Sequence, residues 1–396
     1  MNNNNLNIKN KLRLLHVVAS PFPANQGTAA ATCELISALA KRGHEIHVVT
    51  YYQGQEIELP NVKIHRIPRL GNPNKIFVGF NKLRPVLDFI LIFKTLQVAL
   101  KVKPHIIHSH HHEGIMATFL TRLLVKIPTL YHCQASMEQE LPLYLRPKYL
   151  FRKLGYFLDV MAPKIADYNI AVSKDLADEI RNSSRECTYL PIIVDYKIFM
   201  NPNGFHPLDQ YKLDDKKIVL YTGVVDQFQG IDNLLRAMKF VKEKVPGSML
   251  VIATPISNRG QIEQHRDHID KLGISDSVLF IENLPFKELP GLLSAADIAV
   301  IPRKHCPGFP IKLLNYIASN KPVVAMKGSA KVLVDEVNGM VADNYEDFGE
   351  KIVKLLRNPE LGTIFAEKAK SILEDFTPET VSSRMEEIYF DLTNEK

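Results

Sequence analysis

The segment that follows Pro302 carries residues suited to binding an anion. Gly308 permits a close approach of the backbone, and Pro310 suits the first turn of a helix, where exposed amides attract phosphate. Lys312 falls in that first turn, and a cation there is unfavourable for the helix dipole unless an anion compensates it. We therefore predict that Lys312 binds a phosphate, with a solvated surface lysine as the alternative.

A run of three histidines follows a strand-like segment in the first half of the chain. His110, His111 and His112 are consecutive and precede Glu113. A histidine cluster suggests a metal ion, but three adjacent residues on one turn cannot all face one ion. We expect no metal and no cofactor.

Three further polar residues are weaker candidates for contact with an acceptor molecule. Glu113 could orient His110, bind an acceptor hydroxyl or cap the next helix. His132 and Glu138 belong to the region around the following loop.

The elements that would position these residues alternate between strand and helix. Residues 12–19 form an apolar run typical of a buried strand, a loop over 20–28 follows, and after a helix comes the strand-like stretch 46–50. Gly27 and Thr28 open that helix, and they could approach a phosphate or an acceptor hydroxyl, although a simple turn explains them as well.

Further apolar segments predict parallel strands joined by crossover helices. In the first half they cover residues 106–108, 129–131 and 169–172. In the second half they cover residues 218–222, 249–253, 278–281, 298–301 and 323–325, with helices at 231–245 and 378–392. Periodicity disappears between Asp195 and Lys217, where Pro202, Gly204 and Pro207 cluster, so we place the connection between two domains there.

Composition is that of an ordinary globular chain with a basic excess. The 396 residues suffice for two domains, and the net charge of +6 favours an anionic partner such as a nucleotide, an acidic membrane or nucleic acid. No recognised nucleic-acid-binding module accompanies the charge, so we expect no nucleic acid.

The four cysteines show no paired spacing, which predicts free thiols. The sequence shows no secretory signal and no apolar run long enough to span a bilayer, so we expect a cytoplasmic protein.

Two stretches combine aromatic and basic residues in a way that suits a membrane surface. Residues 75–103 mix Phe77, Phe80, Phe89 and Phe93 with six cations, and residues 144–157 interleave tyrosine and phenylalanine with lysine and arginine. The interpretation is peripheral contact with an anionic membrane and a lipid-linked acceptor. Amphipathic helices that merely cover a sheet are the alternative.

A series of motifs resembles family 4 glycosyltransferases in order and spacing along nearly the whole chain. Each motif alone is weak evidence. They are the Gly27 loop, Arg42-Gly43-His44, His108-Ser109-His110, Ala171-Val172-Ser173, Tyr221-Thr222-Gly223, Gly230-Ile231-Asp232, the segment from Gly308 to Asn315, and Lys321-Pro322-Val323-Val324-Ala325.

The resemblance implies an α/β protein of the GT-B fold, with two Rossmann-like domains whose parallel sheets face each other across a cleft. Residues 1–200 would be the acceptor-side domain, with a helix at about 378–396 packing back on it, and residues 201–377 the donor-nucleotide domain. It also implies a retaining, hexosyltransferase-like enzyme without a metal, which uses a nucleotide sugar. In such enzymes His110 would lie beside the donor sugar.

The chain departs from the family pattern at four positions. The two glutamates that family members use for the donor sugar and the ribose align with Pro307 and Asn315, and an arginine and a lysine align with Val224 and Gln229. Asn315 could still hydrogen-bond a ribose hydroxyl, since its amide both donates and accepts, or it could simply face the cleft.

The resemblance assigns the remaining donor contacts to the segment Gly308-Phe309-Pro310-Ile311 and to the loop from Gly223 to Gln229. Arg303 could replace part of the lost positive charge, although a solvated basic loop explains it equally well. Lys312 and His110 are the expected catalytic residues.

Three functions stay open at this point. The first is transfer of a sugar from a nucleotide sugar to a glycan or lipid-linked acceptor in cell-envelope polysaccharide or glycoconjugate biosynthesis. The second is a non-catalytic subunit that binds a glycan or a partner, suggested by the four departures. The third is a transferase with a nonstandard sugar-phosphate donor.

Overall fold

The computed structural model describes residues 11–23, 27–55, 58–70, 83–183, 185–200, 208, 211, 213, 215–257 and 259–394. The chain forms two compact units. Unit 1 comprises Met1–Val194, Pro307–Phe309 and Asp375–Lys396, and unit 2 comprises Asp195–Cys306 and Pro310–Glu374. Of the residues named in the sequence analysis, Phe77, Phe80, Pro202, Gly204 and Pro207 lie outside the described residues.

Unit 1 is built around a sheet of seven parallel strands in the order β3-β2-β1-β4-β5-β6-β7. The central strands are buried along most of their length because helices cover both faces. The strands are β1 (Arg13–Val18), β2 (Glu45–Thr50), β3 (Val62–Arg66), β4 (Ile106–His110), β5 (Thr129–Cys133), β6 (Tyr168–Ala171) and β7 (Thr188–Tyr189).

The helices of unit 1 include the predicted crossovers between its strands. They are α1 (Gly27–Lys41), α2 (Arg84–Val102), α3 (His111–Leu124), α4 (Met137–Tyr144), α5 (Lys148–Ile165), α6 (Lys174–Asn182) and α15 (Pro378–Asn394). The last helix, α15, packs against α1, and its Glu386 accepts hydrogen bonds from Arg42 and from His44 Nε2, the latter at 2.8 Å.

Unit 2 has six parallel strands in the order β10-β9-β8-β11-β12-β13. The strands are β8 (Lys217–Thr222), β9 (Ser248–Thr254), β10 (Val278–Glu282), β11 (Ile298–Ile301), β12 (Val323–Met326) and β13 (Met340–Ala342). Its helices are α7 (Lys197–Met200), α8 (Ile231–Lys244), α9 (Arg259–Leu272), α10 (Leu289–Ser294), α11 (Ile311–Ala318), α12 (Lys327–Ala330), α13 (Tyr345–Arg357) and α14 (Pro359–Lys370).

The predicted α/β class with two parallel sheets is therefore confirmed, and each predicted strand is present within a few residues of its expected ends. Three strands escaped the sequence analysis. β3 is only half-buried and lacks an apolar run, while β7 and β13 are too short to show a period. Within the described residues, no helix has both the length and the apolar character needed to cross a bilayer.

Candidate functional site

The first candidate site lies in unit 2, at the end of β8 and the start of α11. After β8 the chain turns at Gly223, whose φ of 129° lies in the region that favours glycine, and a short 3-10 turn at Gln227–Gln229 leads to Gly230. A Cβ on Gly230 would lie 2.5 Å from the carbonyl oxygen of Pro302, so only glycine fits there. The two glycines therefore fix the loop beside the helix start.

Lys312 extends from the first turn of α11 to this loop. Its Nζ donates to the hydroxyl of Tyr221 at 3.1 Å and to Oε1 of Gln229 at 3.4 Å, and it lies 4.2 Å from the centre of the Tyr221 ring. A Cβ on Gly223 would be 2.7 Å from Nζ. The glycine thus leaves the space that the ammonium group fills.

The ammonium group of Lys312 is poorly compensated. Burial, together with the positive charge of Arg303, lowers the pKa of Lys312 from 10.5 to about 7, although Asp226 opposes this shift. In the part of the chain that the structure describes, no carboxylate oxygen lies within 4.0 Å of Nζ. The group is held by an aromatic ring and two neutral oxygens, so an incoming anion would find an unpaired positive charge.

The surroundings of Lys312 are held by well-defined contacts. Arg303 Nε donates to the carbonyl of His305 at 2.8 Å. The hydroxyl of Tyr316 on α11 accepts from the backbone N–H of Thr222 at 3.0 Å, which ties the helix to the end of β8. Asn315 is 9% exposed, and its side-chain amide has no hydrogen-bond partner among the described residues.

The start of α11 leaves part of its backbone N–H groups without a partner among the described residues, although the N–H of Leu313 donates to the carbonyl of Pro310 at 2.9 Å. Pro310 occupies the position before the helix and supplies no side-chain cap, and Ile311 is the first helical residue. The predicted helix start with Lys312 in its first turn is therefore present, with N–H groups available to an anion.

Gly308 and Phe309 belong to unit 1, although the sequence grouped them with the donor loop. A Cβ on Gly308 would lie 2.2 Å from the carbonyl oxygen of Gln134, and the carbonyl of Pro307 accepts from the backbone N–H of Ser136 at 2.9 Å. Phe309 packs its ring 5.5 Å from that of Phe376. The close approach that Gly308 allows is used by the protein's own backbone.

The second candidate site is a cluster of four buried histidines in unit 1. His16 lies on β1, His108 and His110 lie on β4, and His132 lies on β5. Alternation of side chains along parallel strands directs all four to the face of the sheet that α1 and α15 cover.

The histidines hydrogen-bond to one another. His110 Nε2 lies 3.0 Å from His16 Nδ1, and His108 Nε2 lies 3.2 Å from His132 Nδ1. The hydroxyl of Tyr389 on α15 lies 2.6 Å from His108 Nδ1. The cluster thus links three strands to the terminal helix.

Both ring nitrogens of His110 are engaged. The side-chain amide of Gln134 donates to His110 Nδ1 at 3.2 Å, so Nε2 carries the proton and donates to His16. Burial lowers the pKa of His110 and His108 well below 6.5 and those of His16 and His132 to about 3. The cluster is therefore neutral at physiological pH.

The cluster contains a set of nitrogens that could ligate a metal ion. One ring nitrogen from each of His16, His108 and His110 lies within 4.8 Å of the other two, and the neutral imidazoles suit a metal such as Zn²⁺. The adjacent residues weighed from the sequence separate instead. His111 has a φ of 60°, and His112 Nε2 pairs with Asp159 Oδ1 at 2.7 Å.

A small pocket in unit 1 brings together two predicted residues. Thr28, Thr32, His132 and Gln134 line it together with apolar residues of unit 1. Nε2 of His132 has no hydrogen-bond partner among the described residues. Gly27, with a φ of 57°, begins α1 as predicted and is exposed.

The two glutamates named as acceptor-side candidates are paired with cations. Glu113 lies 3.5 Å from Arg84 Nη1, and Glu138 Oε1 accepts from Arg152 Nε at 2.9 Å. One role considered for Glu113 was to orient His110. In the structure the His110 ring is instead hydrogen-bonded to Gln134 and His16.

Sequence reasoning missed His16, Gln134 and the role of Tyr221. His16 lies inside an apolar strand, where a single polar residue does not change the prediction of a buried strand. The signal available was that His16, His108, His110 and His132 all fall within predicted strands or at their ends, where histidine is unusual unless paired. Gln134 had no such signal.

Two family models match the chain. Residues 26–195 match Glycosyltransferase Family 4, and residues 208–372 match Glycosyl transferases group 1. Two Rossmann-like units with parallel sheets and these matches define a glycosyltransferase of the GT-B fold. The chain belongs to the group 1, family 4 glycosyltransferases.

Individual relatives agree with this assignment. An uncharacterized glycosyltransferase of Methanocaldococcus jannaschii is 25% identical over 88% of this chain and 91% of its own. Sucrose-phosphate synthase from Thermosynechococcus elongatus has a similar structure, with a TM-score of 0.83, 17% identity and coverage of 98% of this chain and 100% of its own. Anabaena HepE in complex with UDP-glucose gives a TM-score of 0.73 at 15% identity, covering 96% of this chain and 100% of its own.

Proposed function

We propose that the protein is a retaining glycosyltransferase that moves a hexose-type unit from a nucleotide sugar to a glycan or lipid-linked acceptor in cell-envelope polysaccharide or glycoconjugate biosynthesis. The observation that carries the proposal is Lys312, a partly buried ammonium group without a carboxylate partner at a helix start. A diphosphate would compensate this charge and accept hydrogen bonds from the free amides of α11. The UDP-glucose complex of Anabaena HepE supports the choice of donor.

The proposed reaction is a front-face substitution at the anomeric carbon of the donor. The bond from this carbon to the phosphate oxygen breaks, the acceptor oxygen bonds to the carbon on the same face, and the acceptor proton passes to the leaving phosphate. No protein nucleophile takes part. Because negative charge develops on the leaving diphosphate, Lys312 stabilises the transition state more than the ground state.

The other residues of the lysine site take supporting roles in the proposal. Asn315, whose amide has no protein partner among the described residues, hydrogen-bonds a ribose hydroxyl. Arg303 adds positive potential. With these groups supplying the charge, the reaction uses no metal ion and no cofactor.

We propose that His110 does not touch the sugar in this conformation and that it acts by positioning Gln134. The ring of His110 is fully buried, and its Nδ1 accepts a hydrogen bond from the side-chain amide of Gln134. The backbone carbonyl of Gln134 lies against Gly308. Direct contact with the donor sugar, as the family resemblance implies, would require the Gln134 hydrogen bond to open.

We place the reaction in the cytoplasm, with peripheral contact at an anionic membrane where the acceptor is lipid-linked. The basic excess of the chain supports this placement.

Calorimetry with uridine, guanosine and adenosine diphosphate sugars tests the proposal. At least one donor should bind the wild-type protein with micromolar to millimolar affinity, and Lys312→Met should bind the same donor measurably more weakly. Lys327→Met is the matched control, since Lys327 is exposed in the same unit and pairs with Asp343. No binding by any donor would reject the proposal.

A non-catalytic GT-B subunit is the second candidate, because Pro307, Asn315, Val224 and Gln229 replace charged residues of the family pattern. The contact of Gln229 favours the enzyme instead, since Gln229 Oε1 accepts a hydrogen bond from Lys312, the residue proposed to bind the diphosphate. Binding of a sugar phosphate but of no nucleotide sugar would point to a transferase with a nonstandard donor.

A further inference from the structure

We propose that the outer surfaces of α2, α3 and α5 together form a face that docks on an anionic phospholipid bilayer. These helices are neighbours in unit 1, with α3 in contact with both others. The biological role of this face rests on the proposed function, because docking would bring the enzyme to a lipid-linked acceptor. Its physical basis is independent of the donor site.

Helix α5 exposes an apolar stripe at helical spacing. Leu150, Leu154, Phe157 and Met161 recur at intervals of four, three and four residues and are 51%, 44%, 56% and 40% exposed. Within the described structure only Gly155, Ala162 and Pro163 of this helix are buried. The helix thus leaves its apolar side in solvent instead of burying it on the sheet.

Helices α2 and α3 extend the stripe into a broader surface, of which the sequence revealed the part on α2 but not the part on α3. Both bury one side on the sheet and expose large apolar side chains on the other, each about half exposed or more. These are Val86, Phe89, Phe93 and Leu100 on α2, and Met116, Phe119, Leu123 and Leu124 on α3.

Apolar exposure is concentrated here. With Tyr149 and Tyr156 of α5, the three helices carry fourteen exposed large hydrophobic side chains, whereas the described residues of the whole of unit 2 carry eight, spread over helices and loops. Water-exposed apolar surface of this extent on one face indicates an interaction site.

The charges on the three helices favour an anionic partner. Each helix contains a single carboxylate, and each carboxylate contacts a neighbour within unit 1: Asp88 accepts from Tyr51, Glu113 lies beside Arg84, and Asp159 pairs with His112. The cations number eight, namely Arg84, Lys94, Lys101, Arg122, Lys148, Arg152, Lys153 and Lys164.

Some of these cations are occupied and others are available. Arg122 pairs with Asp167, and Arg152 pairs with Glu138 of α4. Lys148, Lys153 and Lys164 have no carboxylate within 4.0 Å among the described residues. Their long aliphatic stems can lie along apolar surface while the ammonium groups reach lipid phosphates.

A bilayer fits these features better than a protein partner does. Aromatic and aliphatic side chains flanked by lysines without a carboxylate partner match the boundary between acyl chains and anionic headgroups, where each cation adds to the attraction. A second copy of the chain would bring two faces of the same positive sign together, which opposes self-association.

Vesicle flotation tests the proposal with the full chain. The wild-type protein should float with vesicles of phosphatidylcholine and phosphatidylglycerol, bind phosphatidylcholine alone more weakly, and lose affinity as salt is added. Leu154→Glu should reduce binding by about tenfold or more, because it removes apolar contact and adds a like charge to the headgroups. Ile364→Glu on α14 of unit 2, where Ile364 is 47% exposed, is the matched control and should bind as the wild type does.

A second pair of variants isolates the electrostatic part. Lys148→Gln with Lys153→Gln should weaken binding to the mixed vesicles by about tenfold and leave the weak binding to phosphatidylcholine unchanged. All variants should retain nucleotide-sugar affinity in calorimetry, so failure of docking and failure of the proposed donor site can be told apart.

Three results would overturn the proposal. They are no flotation of the wild-type protein with either vesicle, equal loss in Leu154→Glu and Ile364→Glu, or a wild-type dimer in light scattering that Leu154→Glu converts to a monomer without any vesicle affinity.

Discussion

The lysine site of unit 2 and the histidine cluster of unit 1 treat buried polar groups in opposite ways. Lys312 places its amino group against neutral partners only, and burial lowers its pKa to about 7. The four histidines are neutral and bond chiefly to one another, to Gln134 and to Tyr389. The difference is that Lys312 has no carboxylate partner among the described residues, whereas the histidine rings pair with neutral groups of the protein, although Nε2 of His16 and Nε2 of His132 have no partner there.

Replacement of the unpaired cation should have the largest effect. Lys312→Met removes the charge that stabilises the leaving diphosphate, and we expect kcat/KM to fall by about 10²–10³-fold. Steady-state sugar transfer, with Lys327→Met as the control, measures the effect. Activity of Lys312→Met within about threefold of wild type would show that Lys312 does not stabilise the leaving diphosphate.

The same variant should be more stable than the wild-type protein near neutral pH. The unfolded chain binds a proton at Lys312 up to about pH 10.5, whereas the folded chain loses it near pH 7, so wild-type stability should rise with pH across this window. Urea unfolding at several pH values should show that rise for the wild type and a flatter dependence for Lys312→Met. Parallel curves for the two proteins would contradict the lowered pKa.

A change at Gly223 should have an intermediate effect. Gly223→Ala places a methyl group where the backbone φ is 129° and Nζ lies 2.7 Å away, so the ammonium must move. We expect a loss of about 1–3 kcal/mol in unfolding free energy and weaker donor binding. Gly247→Ala is the control, because its new Cβ would meet nothing closer than 4.0 Å. Equal effects at the two glycines would show that the space beside Lys312 is unimportant.

The histidine cluster should affect the stability of the protein only at acid pH. The folded pKa of His16 is lowered to about 3, so the unfolded chain binds more protons between pH 6.5 and pH 3, and stability should fall as the pH drops through that range. His16→Asn can still bond His110 but cannot titrate, and it should flatten this fall while leaving transfer at pH 7 within about threefold of wild type.

His268→Asn on α9 provides the comparison for acid unfolding, since His268 lies outside the cluster. If it flattened the curve as much as His16→Asn does, the cluster would not be the source of the acid sensitivity.

The fold could be predicted from the sequence because buried parallel strands are apolar runs separated by helices. The strand at Ile298–Ile301 was predicted to the residue, whereas the half-buried β3 was missed. Lys312 could be singled out because a cation in a first helical turn contradicts the helix dipole. The contacts of Lys312 with Tyr221 and Gln229 could not be predicted, since they depend on how the end of β8 and the turn after it are placed beside α11.

The histidine cluster shows the limit of local sequence reasoning. His110 and His112 are two positions apart in sequence but their side chains contact different neighbours, while His16 and His110 are 94 positions apart and lie in hydrogen-bond contact. Pairing across a sheet depends on strand order and register, and neither is visible in a run of residues. The same limit hid the contribution of α3 to the exposed face in unit 1.

Proton uptake on donor binding tests the role of Lys312 most directly. Calorimetry near pH 8, in buffers of different ionisation enthalpy, measures the protons taken up when a nucleotide sugar binds. Because Lys312 is mostly neutral there and a diphosphate would restore its charge, the wild type and Lys327→Met should take up about one proton and Lys312→Met none. Tight binding without uptake in the wild type, or the same uptake in Lys312→Met, would contradict the proposal that this lysine holds the diphosphate.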